Sequence, residues 1–229
     1  MGDIPPDPDL LRALGRLARG LSALFWGLPL ALLIYVQTAR TGMFDVLEKF
    51  AVAPALLVTA LLFFGLGQMD GFQRQERVWM SALERARVLA AVNFGLVPFL
   101  HWWHRQPAIS FFGFMVLALA GSSLLLLFNL NHLLQRLAAM LPDESLRLET
   151  RMFTRFNRGT LAAIPIFIGG LAVLTRMNLP ESVTRLLDRL EVLNLFVLMF
   201  LIILPLAMTM ALLWKIKETI FSSLFGRIS

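Results

Sequence analysis

The stretch FLHWWHRQP, residues 99–107, sets two imidazoles three positions apart. On a helix that spacing puts His101 and His104 on one face, as two nitrogen ligands of a metal ion would require. Asp45 or Glu48 is the nearest source of a further ligand, because His132 is expected at the opposite membrane surface. The competing reading, which the surrounding residues favour, is a membrane boundary. Trp102 and Trp103 would sit at headgroup depth with His101 and His104 in an interfacial belt, Arg105 would snorkel outward, and Pro107 would end the helix. On this reading the chain needs no metal and no cofactor. The sequence has no cysteine, which removes disulfides and thiolate ligands.

A second polar set lies inside apolar sequence. Asn93, Asn129, Asn131 and His132 could line a path for a small neutral or amphipathic solute, or could simply bond one helix to the next. A third set is basic. At 100° per residue Arg147, Arg151, Arg155 and Arg158 fall within an arc of about 80°, with Leu146, Met152, Phe153 and Phe156 opposite. Residues 143–158 therefore read as an amphipathic helix lying on the membrane, its guanidiniums toward anionic lipid. Arg12, Arg16 and Arg19 form a similar stripe. A looser one precedes the third span, with Arg77, Glu84 and Arg87 on one side and Trp79 and Leu83 on another.

The elements that carry these residues follow from composition. Apolar types make up 58% of the chain and charged types 16%, against about 45–50% and about 25% in soluble domains. Mean hydropathy is +0.72. The excess falls in six blocks of roughly the 20 residues a span requires, at about 21–39, 50–69, 87–104, 109–131, 160–177 and 192–214. The chain, 1–229, thus reads as one polytopic, all-α membrane domain of six helices in three hairpins. The first block follows an acidic, proline-rich start and is expected to stay as an anchor rather than be cleaved.

Positive charge orients it. Of the 21 lysines and arginines, fifteen fall in the N-terminus, the second and fourth joints and the C-terminus, and six in the other joints. The positive-inside rule then puts both termini in the cytoplasm and the protein in the inner membrane. The pI near 10.9 does not point to nucleic acid, since the basic residues flank spans instead of forming one soluble patch.

Small residues are expected at helix contacts: Ala51, Ala55 and Thr59; Ala91 and Gly95; Ala118 and Ser122. Prolines 29, 54, 98, 165 and 205 are expected to kink spans. A threefold repeat is also suggested. Aligning Arg16, Arg85 and Arg158 aligns Phe25, Phe94 and Phe167.

No acid or base sits in the middle of a span, which argues against a proton-coupled pump. No GxxxxGK[ST], HExxH or GxSxG occurs, so no catalytic residue is assigned, although surface acids such as Asp45, Glu48, Asp143 and Glu144 leave catalysis open. The expected function is a non-enzymatic membrane component whose basic face binds anionic lipid, with a protein partner or a second copy as a further ligand. The alternative is a carrier or channel.

Overall fold

The computed structural model describes residues 8–73, 75–141, 144–174 and 191–225. Among these residues every regular element is helical. In chain order they are α1 (Pro8–Arg40), a 3-10 helix (Met43–Phe50), α2 (Ala53–Gln68), a short 3-10 turn (Met69–Gly71), α3 (Arg77–Leu96), α4 (Pro98–Arg105), α5 (Ser110–Met140), α6 (Glu144–Leu174) and α7 (Glu191–Phe225). Four helical stretches are long and apolar enough to cross a membrane: Leu11–Arg40, Ala53–Gly71, Ser110–Met140 and Phe196–Ser222. The third expected span falls on α3 and α4, and the described part of the fifth on α6. Arg176, Arg185 and Arg189, three of the six basic residues expected outside, lie outside the described residues.

Helices pack in chain order. α1 lies against α2, α2 against α3, α3 against α5, α5 against α6, α6 against α7, and α7 returns to α1. The α1–α2 crossing depends on glycine. A β-carbon on Gly27 would stand 2.7 Å from Leu62 Cδ2, and one on Gly20 would meet the backbone of Gly65. Of the small residues expected at contacts, Ala51, Ala55 and Thr59 are buried, whereas Ala91, Gly95 and Ala118 are exposed. Small size permits close approach but does not choose the face. On α3 and α5 the larger Leu83, Asn93, Leu126 and Leu130 take the inward positions.

The prolines act in two ways. Pro29, Pro165 and Pro205 lie within helices. Pro54 instead stands in the first turn of α2, and Pro98 begins α4 straight after α3 ends, because proline's missing N–H costs least in a helix's first turn.

The main core collects at one end of the bundle. It contains Leu17, Leu21 and Leu24 of α1, Leu66 of α2, Trp79 and Leu83 of α3, Leu130, Leu134 and Leu137 of α5, Leu146 of α6, and Ile216 and Ile220 of α7. A smaller cluster of Ala55, Val97, Leu100 and Leu119 lies toward the other end. Helix length accounts for the asymmetry. α1, α5 and α7 have 33, 31 and 35 residues. At 1.5 Å per residue each is about 46–53 Å long, against about 30 Å of hydrocarbon. Each overshoots its expected span chiefly at the arginine-rich end, and α3 and α6 begin early at that same end.

Two expectations change accordingly. Residues 144–158 are not a separate surface helix but the first half of one uninterrupted α6. Its buried face is Leu146, Thr150, Thr154, Asn157, Leu161 and Ile164, while Met152 and Phe156 are exposed. Likewise Trp79 and Leu83, expected on a lipid-facing stripe, are fully buried. Trp79 stacks edge-on with Phe72 at 6.1 Å, and its backbone N–H donates to Glu76 Oε2 at 3.0 Å, capping α3.

Candidate functional site

The overshooting helix ends form a collar, and the basic residues decorate it. At the start of α1, Arg12, Arg16 and Arg19 share one face and line a depression of about 650 Å³ with Asp9, Ala13, Gly15 and Gly71. The Arg16 guanidinium lies flat against Gly71, where a β-carbon would stand 2.8 Å from Nη2 and 3.0 Å from Cζ. Arg12 pairs with Asp9 at 3.4 Å, and Arg19 Nε donates to the Gly15 carbonyl at 3.4 Å. Arg87 bridges to Asp70 at 3.2 Å and to the Gly67 carbonyl at 3.3 Å, fastening α3 to the end of α2. Lys215 pairs with Glu149, fastening α7 to α6.

On α6, Arg147, Arg151 and Arg155 are exposed. Arg158 differs from its three companions. Its Nη2 lies 2.9 Å from His132 Nδ1, and its guanidinium sits 4.9 Å from the Phe128 ring centroid, a cation–π distance. The sequence placed Arg158 among lipid-facing arginines and His132 in a polar path. The structure instead brings these two side chains to each other.

The proposed path residues do not converge. Asn93 Oδ1 accepts from Ser122 Oγ in the α3–α5 seam. Asn129 Nδ2 donates to the Ala82 carbonyl at 2.8 Å in that same seam. Asn131 turns to another face of α5, donating to Thr209 Oγ1 at 2.9 Å and to the Leu127 carbonyl at 2.8 Å. There it accepts from Asn157 Nδ2 at 2.9 Å, which also reaches Thr209 Oγ1 at 3.0 Å and the Pro205 carbonyl at 3.1 Å. This network ties α5, α6 and α7 together with every member buried. Asn157 went unnoticed in the sequence because it stands between arginines. Its four-three spacing from Leu146, Thr150, Thr154, Leu161 and Ile164 is the signal that marks it as inward-facing.

At the opposite end, His101 is buried, with Nδ1 3.4 Å from Asp45 Oδ1, and Arg105 Nε lies 4.0 Å from the same oxygen. His104 Nδ1 lies 3.3 Å from the Ala39 carbonyl, and its Nε2 packs on Gly42, where φ is +57° and a β-carbon would stand 2.7 Å from that nitrogen. Among the described residues no group of three or more His, Asp or Glu is arranged to hold a metal ion. Trp102 is exposed and joins Phe99, Phe111 and Phe112 in an aromatic cluster, and Trp103 is half-buried. His101, expected at the interface, is instead buried beside Asp45, and His104 is held between Ala39 and Gly42.

No family model, curated protein or solved structure matches the chain.

Proposed function

We propose that this chain is a non-enzymatic, multi-pass component of the inner membrane whose arginine-rich collar binds anionic lipid headgroups and can also present them, or itself, to a protein partner. In this reading α1, α2, α3 with α4, α5, α6 and α7 provide six spans in three hairpins. Both termini and the collar lie in the cytoplasm. The chain-order packing that closes from α7 onto α1 is what a pseudo-threefold hairpin repeat would produce, although Arg16, Arg85 and Arg158 have different partners.

The observation that carries the reading is the shared overshoot. Helices α1, α3, α5, α6 and α7 extend past their expected spans at the end that bears Arg12, Arg16, Arg19, Arg147, Arg151 and Arg155. Guanidiniums at that depth would lie beside lipid phosphates, each contributing about 1 kcal/mol near an anionic leaflet. A buried core beneath them would hold the array rigid. A solute path through Asn93, Asn129, Asn131 and His132 draws less support, because all three amides are engaged by protein groups, Asn93 and Asn129 in the α3–α5 seam and Asn131 on another face of α5.

The test is lipid selection by the purified full-length chain in mixed micelles of phosphatidylglycerol and phosphatidylcholine. Enrichment of phosphatidylglycerol around the protein, reduced several-fold in R147Q/R151Q/R155Q and weakened by salt, is the expected result. Equal retention of the two lipids would refute the proposal.

A further inference from the structure

Arg85 of α3, Arg136 of α5 and Arg158 of α6 gather around His132 on the lipid-facing side of α5, and among the described residues none of the three is ion-paired with an acid. Asn129 Nδ2 bonds the Ala82 carbonyl and so fixes the register of α5 against α3. His132 lies one turn beyond Asn129. Arg85 folds back one turn toward the same level, Nε donating to the Ser81 carbonyl at 3.1 Å. Arg136 follows His132 by four residues and shares its face of α5. Arg158 arrives from α6 to meet the imidazole at 2.9 Å. The guanidiniums of Arg158, Arg136 and Arg85 all exert their fields on His132. Among the described residues no ion pair joins Arg85, Arg136 or Arg158 to a carboxylate, unlike Arg12, Arg87, Arg105 and Lys215. Arg158 Nε is buried and has no hydrogen-bond partner. Like charges gathered without a counter-charge repel one another, and an anion with several acceptor oxygens relieves that repulsion.

The face of α5 below this cluster indicates which anion. Phe114, Leu117, Leu125 and Phe128 follow one another at helical spacing toward His132 and Arg136, and they are 66%, 64%, 59% and 41% exposed. From Phe114 to Phe128 the rail is about 21 Å long at 1.5 Å per residue, enough to run the roughly 15 Å hydrocarbon depth of one leaflet. A free phosphate would have no use for it.

We propose that Arg85, Arg136 and Arg158 hold the phosphate of one phospholipid whose acyl chain lies along Phe114, Leu117, Leu125 and Phe128 of α5. The site deepens the lipid-binding reading and rests on it, naming one discrete position within an otherwise diffuse basic collar. Arg158, kept in place by His132 and Phe128, supplies a pre-ordered donor, and Arg85 and Arg136 close on the phosphate from either side.

The experiment is native mass spectrometry of the full-length chain in mild detergent, titrated with phosphatidylglycerol, phosphatidylcholine or inorganic phosphate. The wild type should take up one phosphatidylglycerol in a saturable first step. R85Q/R136Q should weaken that step at least about tenfold, R85K/R136K should keep it within about threefold, and R147Q/R151Q should hardly change it. Both arginines are exposed, so the substitutions leave the core intact. A first step unchanged in R85Q/R136Q while the wild type still prefers phosphatidylglycerol would overturn the site and leave the collar reading standing. A wild type without lipid preference would overturn both. Displacement of the bound lipid by millimolar inorganic phosphate would assign the cluster to a free anion and overturn the lipid claim.

Discussion

Gly20 faces Gly65 across the α1–α2 crossing so closely that a β-carbon on Gly20 would stand 2.6 Å from the Gly65 carbonyl oxygen. The reciprocal β-carbon on Gly65 would stand 3.1 Å from the Gly20 carbonyl. In lipid, where apolar surface offers no drive for helices to associate, such close backbone approach is a main source of affinity. The obstacle here is backbone, which cannot rotate away as a side chain can.

Gly20→Ala should therefore destabilise the protein by about 1–3 kcal/mol, the usual cost of overpacking. Gly15→Ala, five residues away with nothing within 4 Å of its β-carbon, should be neutral or slightly stabilising. Unfolding midpoints of both variants in mild detergent check the pair, and equal midpoints would show that the crossing is looser than described.

The Asn131–Asn157–Thr209 network makes a second prediction. Asn157→Ala removes the donor that serves Asn131, Thr209 and Pro205 at once. The loss should be about 0.6–2 kcal/mol, the range of interhelical polar contacts in membranes. Because the groups share partners, N157A and T209V should combine less than additively. A double-mutant cycle that adds within error would mean the contacts are independent.

Lys215 and Glu149 join α7 to α6, but both side chains are more than two-fifths exposed. Solvent and salt screen such a pair, so Lys215→Gln should cost less than about 1 kcal/mol. A larger loss, insensitive to salt, would place the pair in a drier setting than its exposure indicates.

At the other end Asp45 holds the 3-10 helix Met43–Phe50 against His101 and Arg105. Asp45→Asn weakens both attractions and leaves the main core untouched. Amide exchange across residues 43–50 should quicken while the global unfolding midpoint stays nearly constant. Unchanged exchange would show that the backbone bond from Asp45 N–H to the Gly42 carbonyl is sufficient by itself.

Much of this was legible in the sequence. Apolar block length marked the four helices that are long and apolar enough to cross a membrane, whereas the third block divides into α3 and α4. Burial was less legible, since periodicity shows that two faces differ but not which one meets protein. On α6 the arginines made the opposite face look lipid-bound, yet Leu146, Thr150 and Asn157 turn into the core. Trp79 resembles a belt residue because tryptophan suits both an interface and a core, and only the extension of α3 past its expected span decides between them. The Arg158–His132 contact joins residues 26 positions apart on different helices, a relation no local spacing encodes. Gly20 and Gly65 were missed for the same reason, as each completes a motif only with its partner.

The central claim is that the collar and its arginines share the cytoplasmic leaflet. With no native cysteine, single cysteines can be placed without background. The direct measurement is labelling of S145C and Q106C in intact and permeabilised cells by a membrane-impermeant maleimide. The account predicts that Q106C labels in intact cells and S145C only after permeabilisation. Labelling of S145C from outside, or of both positions from one side, would contradict it.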